Sequence, residues 1–289
     1  MELYKSSATS QINKSQKFVL PCQSRVQSSN TKEWLQIQHK LVEKSPVLKA
    51  VLERSNNVVV KYGQPKIMHN EYSVSEALYT SKVPNMIKYF CSFQCADDIA
   101  NIVKKGYLCD GGEDIAYIVM PYYSLGDMNK YVWNRENFGL LKNILTQVSF
   151  AILYASKTCR FVHNDLHMYN ILLRKTKKTK LVYGDIDLPL QSLYAVVMDF
   201  EKSTVQLGTP REAYYTIRDI LNRATSLDNS DMSLAIDVSD LNQLMSTNTS
   251  ITTDTYTHVK FIIDNAIILY EKAKSKLPPN PFLRSVTNL

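Results

Sequence analysis

No apolar run in this chain approaches the roughly 20 residues that a membrane helix needs, so no transmembrane segment is expected. Met1 to Asn13 lacks the apolar stretch of a secretory signal, which points to an intracellular protein of cytoplasm or nucleus whose five cysteines stay reduced. No disulfide is expected. A zinc site is not expected either, because Cys91, Cys95 and Cys109 form no CxxC pair and no paired histidines follow them. Glycine is scarce, and Val42 to Asn57 contains none, so that stretch cannot offer the bare backbone that approaches a phosphate most closely. The absence of an internal repeat excludes solenoids and propellers.

What is present is an ordinary globular composition, 45% hydrophobic and 21% charged over 289 residues, long enough for two lobes. The net charge of +7 is concentrated in Arg174 to Lys180, read as a solvated loop with nucleic-acid contact as its functional alternative. Residues 1–33 are rich in Ser, Gln, Lys, Asn and Thr without a period and are expected to form a flexible arm. Residues 34–120 read as a β-rich lobe. Val58 to Lys61 is a β-branched strand, Glu71 to Tyr79 a helix, and Met86 to Phe93 and Ile115 to Met120 two strands around a turn at Gly111 and Gly112. Residues 121–289 read as mainly helical: Asp127 to Trp133, capped by its own Asp, then Leu140 to Ser156, Ala213 to Arg223, Ser233 to Met245 and His258 to Lys274. Two strands interrupt them, Ile171 to Leu173 and Leu193 to Met198, and a Pro-rich tail follows at Pro278 to Pro281. The class is α+β.

The suspicious polar residues gather at strand ends. His163-Asn164-Asp165-Leu166-His167-Met168-Tyr169-Asn170 is bracketed by apolar runs, so a loop carrying a carboxylate and an amide is held on both sides. A second carboxylate, Asp199, ends the strand Val196-Val197-Met198. Phosphoryl transfer needs such parts: an oriented hydroxyl, a base beside it and oxygen donors for the metal that holds a triphosphate.

At this point the sequence resembles the protein-kinase superfamily, whose catalytic loop follows His-x-Asp-x-x-x-x-Asn. Asp199-Phe200 matches the family's Asp-Phe, Val58-Val59-Val60-Lys61 its strand lysine, and Tyr117 to Asp127 the segment joining its lobes. The resemblance implies a bilobal fold, a small β-rich N-lobe and a mainly helical C-lobe with the nucleotide site between them, and a monomer using ATP and Mg2+ on protein substrates. It also implies roles. Asp165 orients the acceptor hydroxyl and takes its proton, Asn170 and Asp199 hold magnesium, and Lys61 grips the α and β phosphates with a helix glutamate as partner, Glu71 in preference to Glu76. Met120 flanks the adenine, backbone groups of Pro121 to Tyr123, Tyr122 included, bind its edge, and Asp127 reaches the ribose. Asp219 is the helix aspartate that braces the loop, while His163 is a brace and not a catalyst.

Departures from the pattern narrow the resemblance. Asn164 stands where an arginine is usual, Glu201 follows Asp-Phe, and no Ala-Pro-Glu closes the segment. Asp165-Leu166-His167, the Lys-rich continuation after Asn170-Ile171-Leu172-Leu173 and the altered Asp-Phe-Gly are most similar to haspin-like serine/threonine kinases. The compact length and the Lys, Asn, Ile and Tyr usage suggest a viral member, placing it in a host cell or virion. Two alternatives stay open: a small-molecule kinase of the choline kinase or aminoglycoside phosphotransferase type, with which His-Asn-Asp-Leu and Asp-Phe-Glu are shared, and a pseudokinase binding module.

Overall fold

Alternation of apolar and polar side chains builds the first sheet. β1 (Leu35–Lys40), β2 (Val47–Leu52), β3 (Asn56–Gly63), β4 (Cys91–Asp97) and β5 (Glu113–Pro121) pair antiparallel in the order β1-β2-β3-β5-β4. The computed structural model describes residues 31–41, 45–53, 56–133, 136–184, 186–225, 259–260, 263–264 and 284–285. The chain forms two compact units, Met1–Glu76 with Lys88–Tyr122, and Ala77–Ile87 with Tyr123–Leu289. Helix α1 (Pro65–Thr80) crosses the division in sequence. It starts six residues before the expected Glu71, because Pro65 lacks only an amide that a first turn would leave unpaired anyway.

In the first unit the sheet buries one face. Leu48, Ala50 and Leu52 of β2 join Val58 and Val60 of β3, Tyr117 and Val119 of β5, and the Phe93 ring, which stacks on Tyr117 and meets Trp34 edge-on. The β4–β5 connection is more than the expected turn. A 3-10 turn (Ile99–Asn101) and the short helix α2 (Ile102–Lys105) precede it, closed by Gly106 at φ 79°. Asp97 ties the connection down: its buried carboxylate accepts from Tyr117 Oη (2.8 Å), Cys109 N (2.7 Å) and Asp98 N (2.9 Å). Gly112, at φ 127°, passes so close that a Cβ there would lie 2.4 Å from the Asp97 carbonyl oxygen. Thr31, inside the stretch expected as an arm, is buried and exchanges two hydrogen bonds with Leu108. Residues 1–30 lie outside the described residues.

The cysteine expectation is overturned here. Cys95 and Cys109 form a disulfide across the same connection, and Cys91 is disulfide-bonded as well, while Cys159 is a free thiol. The β4 edge and the returning chain bring the two Cα atoms to 5.4 Å, the separation a disulfide spans, although their spacing in sequence carries no such signal. Reduced cysteines had supported the intracellular reading, and that support is gone.

In the second unit, α3 (Phe138–Cys159) is the central helix. It is long and apolar enough to cross a membrane by length and composition, but 72% of that window is buried inside the protein, as befits a core helix. β7 (Ile171–Lys175) pairs antiparallel with β10 (Leu193–Val197), and the residues between them form a hairpin, β8 (Lys180–Tyr183) with β9 (Ile186–Pro189). The expected helix Asp127 to Trp133 is instead a 3-10 turn (Met128–Lys130) followed by the strand β6 (Tyr131–Val132), and Asp127 makes no side-chain cap. Tyr131 and Trp133 bury their rings from extended backbone, so packing overrides the helix signal. α4 (Pro210–Thr225) covers the expected Ala213 to Arg223, and β11 (Arg284–Ser285) runs parallel to β6. The expected helix Ser233 to Met245, most of His258 to Lys274 and the Pro-rich tail lie outside the described residues.

A buried polar knot joins these pieces. Asn85, at φ 61°, donates from Nδ2 to Ala195 O (2.6 Å) and to Gln147 Oε1 (3.1 Å) and accepts from the Tyr183 hydroxyl. Gln147 on α3 also accepts from Ala195 N and donates to Leu193 O, so both ends of its amide are satisfied along one edge of β10. Of the basic loop, Arg174 stacks on Tyr194 at 4.4 Å and Lys180 pairs with Asp187.

Closing a loop with sequence separation 14, the Cys95–Cys109 disulfide is expected to contribute about 3 kcal/mol. Urea denaturation of the Cys95→Ser/Cys109→Ser variant should show that loss, and thiol titration of the native chain should leave both sulfurs unlabelled.

Candidate active site

Within the first unit, β3 and α1 bring Lys61 and Glu71 together. Lys61 Nζ lies 2.8 Å from Glu71 Oε2, with Lys61 7% and Glu71 0% exposed. A buried ion pair stands only if its spare lone pairs are met, and Tyr89 Oη donates to Glu71 Oε1 at 2.6 Å. Met120 is buried in β5, opposite Val59, and Tyr122 carries Lys49 over its ring at 5.1 Å.

Within the second unit, a tight loop gathers Asp165, Asn170 and Asp199. A 3-10 turn over Met168–Asn170 folds the loop so that Asn170 Nδ2 donates to the Asp165 carbonyl at 3.0 Å. Met198 N donates to Asn170 O (3.0 Å), which sets the next residue, Asp199, beside Asn170. Asn164 (φ 60°) and Asp199 (φ 68°) both adopt left-handed backbone, a conformation that non-glycine residues keep only where the surroundings impose it. His163 is fully buried. Its Nε2 bonds Met198 O at 3.0 Å, its ring meets Phe161 and Phe200 edge-on, and burial pushes its pKa down to about 4, so it is neutral at physiological pH. It braces the loop.

Asp165 keeps a charged partner. Lys202 Nζ lies 2.9 Å from Asp165 Oδ2. Partial burial pushes the Asp165 carboxyl up, but the hydrogen bond and charge of Lys202 outweigh it, and the group sits below the usual carboxylate range. Among the remaining expected residues, Tyr123 has its phenol lifted to about 12 by burial, and Asp127 pairs with Lys130 at 3.4 Å while its Oδ1 is buried without a hydrogen-bond partner.

The chain after Asp199 runs back along the loop. Val162 and Thr204 exchange both backbone hydrogen bonds (3.0 and 2.9 Å), Ser203 Oγ donates to His163 O (2.9 Å), and Asn164 Nδ2 donates to Lys202 O (3.0 Å). Gly208 N then donates to Arg160 O at 2.7 Å, an approach that only glycine permits: a Cβ would lie 2.5 Å from Val162 Cγ2 and 2.6 Å from that carbonyl.

Residues 46–195, just over half of the chain, match the family model for protein tyrosine and serine/threonine kinases. This chain belongs to the protein kinase family. A relative in Arabidopsis thaliana, the inactive serine/threonine-protein kinase BKN2, is 35% identical over 92 residues. That match covers 29% of this chain and 26% of BKN2, so this kinase chain is aligned to about a quarter of its relative's length.

One assignment inside the kinase domain is corrected. Asp219 is not a buried brace: its side chain is 50% exposed and bonds the neighbouring Arg218 at 3.4 Å, in an open pocket that it lines with Asn164 and Asp165. The bracing of the loop His163 to Asn170 comes from Ser203, Asn164 and His163. Three contributors are not legible in the sequence, Tyr89, Lys202 and Ser203. Only the position of the latter two just after Asp-Phe hints at them.

Gly208→Ala is expected to destabilise the second unit by about 1–3 kcal/mol, since the buried Val162 methyl has little room to move and the Arg160 carbonyl cannot withdraw without losing its hydrogen bond from Gly208. Thermal melting of the variant tests this, and an unchanged midpoint would refute the close approach.

Proposed function

We propose that this chain is an ATP- and magnesium-dependent serine/threonine protein kinase, transferring the γ-phosphoryl group of ATP to protein hydroxyls. The observation that carries the reading is the Asp165 carboxylate, fixed by its loop and its lysine and lying in the loop that also sets Asn170 beside Asp199. In this reading Asp165 orients the acceptor hydroxyl and takes its proton, a role that requires a group ionised at neutral pH, as its lowered pKa provides. Lys61, steadied by Glu71, is the cation for the α and β phosphates.

The residues present fit the nucleotide and its metal. Asn170 spends its Nδ2 on Asp165 O, which leaves the amide oxygen as its donor, and with the Asp199 carboxylate this is the hard oxygen chemistry that magnesium prefers. Magnesium held by these two residues would supply positive charge to offset that of the nucleotide phosphates. The buried, unpartnered Asp127 Oδ1 is an acceptor suited to a ribose hydroxyl, and Met120 and the backbone of Pro121 to Tyr123 are assigned to the adenine. The haspin-like assignment rests on Asp165-Leu166-His167 and on a segment after Asp199 held by backbone pairing instead of by an Ala-Pro-Glu motif.

A second reading, a binding module that keeps the fold without transfer, is favoured by the glycine-free Val42 to Asn57 and by the inactivity in the name of BKN2. Transfer of labelled phosphate from ATP with magnesium, to the chain itself, to basic proteins and to choline or aminoglycosides, separates the possibilities. Protein labelling is expected, falling by about 10²–10⁴ in Asp165→Ala with little change in melting. Labelling of small acceptors alone would move the chain to the small-molecule kinases, and nucleotide binding without any transfer would make it a binding module.

A further inference from the structure

The catalytic loop contains no lysine or arginine from His163 to Asn170. With His163 buried, the side chain in it that can carry positive charge is His167, and that ring is committed elsewhere: Nε2 lies 3.3 Å from Asn170 Nδ2, and the ring meets Tyr169 edge-on at 5.7 Å. Yet transfer brings an electron-rich acceptor oxygen toward an anionic phosphoryl group, and a fixed cation on that path is worth more than the same charge in free solution. The positive charge beside Asp165 comes from outside the loop.

We propose that Lys202, three residues after Asp199, is the positioning residue of the acceptor site: it holds the Asp165 carboxylate in place and supplies the positive charge that the catalytic loop lacks. The inference rests on the kinase reading above. Lys202 Nζ lies 2.9 Å from Asp165 Oδ2, and the side chain is 62% exposed, so it can reach an acceptor as well as the carboxylate. An exposed ion pair contributes little to folding, which directs the explanation toward the reaction.

The backbone around Lys202 makes the placement a consequence of the fold. Val162 pairs with Thr204 through two backbone bonds, His163 O accepts from Ser203 Oγ, and Asn164 Nδ2 donates to Lys202 O. Three successive residues of the loop are thus tied to three successive residues running the other way, and the next residue of the loop is Asp165. The register sets Lys202 opposite Asn164, and its long side chain reaches diagonally to the next residue of the loop, Asp165. In the reaction, the acceptor oxygen bonds to the γ-phosphorus, the bond from that phosphorus to the bridging oxygen breaks, ADP leaves with the electron pair, and the acceptor proton passes to Asp165. Lys202 changes no bond. It keeps the receiving carboxylate oriented and offsets the charge that builds between acceptor and phosphoryl group.

The test is steady-state transfer to the best protein acceptor by the full chain and by Lys202→Ala, Lys202→Met, Lys202→Arg and Asp165→Ala, with melting and nucleotide affinity measured on each. Lys202→Ala and Lys202→Met are expected to lose about a hundredfold in kcat with the KM for ATP, the nucleotide affinity and the melting midpoint unchanged. Lys202→Arg, which keeps the charge, should remain within about tenfold of the native chain. Full kcat in Lys202→Met, beside a collapse in Asp165→Ala, would overturn the role of Lys202 and leave the kinase reading standing. A kcat loss that tracks a lowered melting midpoint in both Lys202→Ala and Lys202→Met would reduce Lys202 to a structural residue. Absence of transfer in the native chain would overturn both readings together.

Discussion

Two backbone hydrogen bonds between Val162 and Thr204 start a short antiparallel pairing on which the candidate site depends. From that point the loop after Phe161 and the segment after Phe200 advance in opposite directions, and side chains complete what the backbone begins: Ser203 on His163, Asn164 on Lys202, Lys202 on Asp165. The hydrophobic footing is equally specific, since Phe161, His163 and Phe200 pack edge to face beneath it. Burial keeps the His163 imidazole neutral, so it bonds Met198 O without bringing a charge into the core. Strain is tolerated at Asn164 and Asp199 because these contacts over-determine the backbone there.

The first unit solves a different problem. Its sheet has one well-buried face, but the β4–β5 connection is long and polar, and a covalent bond together with one carboxylate secures it. Asp97 accepts three hydrogen bonds where Tyr117, Asp98 and Cys109 converge, and the Cys95–Cys109 disulfide closes the same stretch. This anchoring holds the edge of the sheet whose inner strands carry Lys61 and Met120. The Lys61–Glu71 pair depends on that order, because a lysine ammonium at 7% exposure is tolerable only with its partner fixed by a third group, Tyr89.

Much of this architecture is legible in the order of the residues. β-branched Val58 to Val60 and the apolar spacing of Leu141 to Leu153 report local burial patterns, and local patterns are what a sequence records most directly. The loop His163 to Asn170 is legible because its residues are contiguous. Tyr131 and Trp133 carry a helical signal that fails, because their extended conformation is imposed by burial against distant parts of the unit, and Asp219 is exposed where a buried brace is expected. The disulfide leaves no trace in the spacing of the cysteines, which says nothing of Cα separation.

The sequence by itself determined the α+β class and the resemblance to protein kinases that the family match bears out, and it singled out Lys61, Asp165, Asn170 and Asp199 as candidates, because each depends on short-range periodicity or on a contiguous motif. The tertiary structure decided the partners. Glu71 meets Lys61, Cys95 meets Cys109, and Lys202 meets Asp165, 37 residues apart in the chain, because hydrogen-bond register and sheet packing bring them into reach, and neither quantity is written in the spacing of the residues concerned.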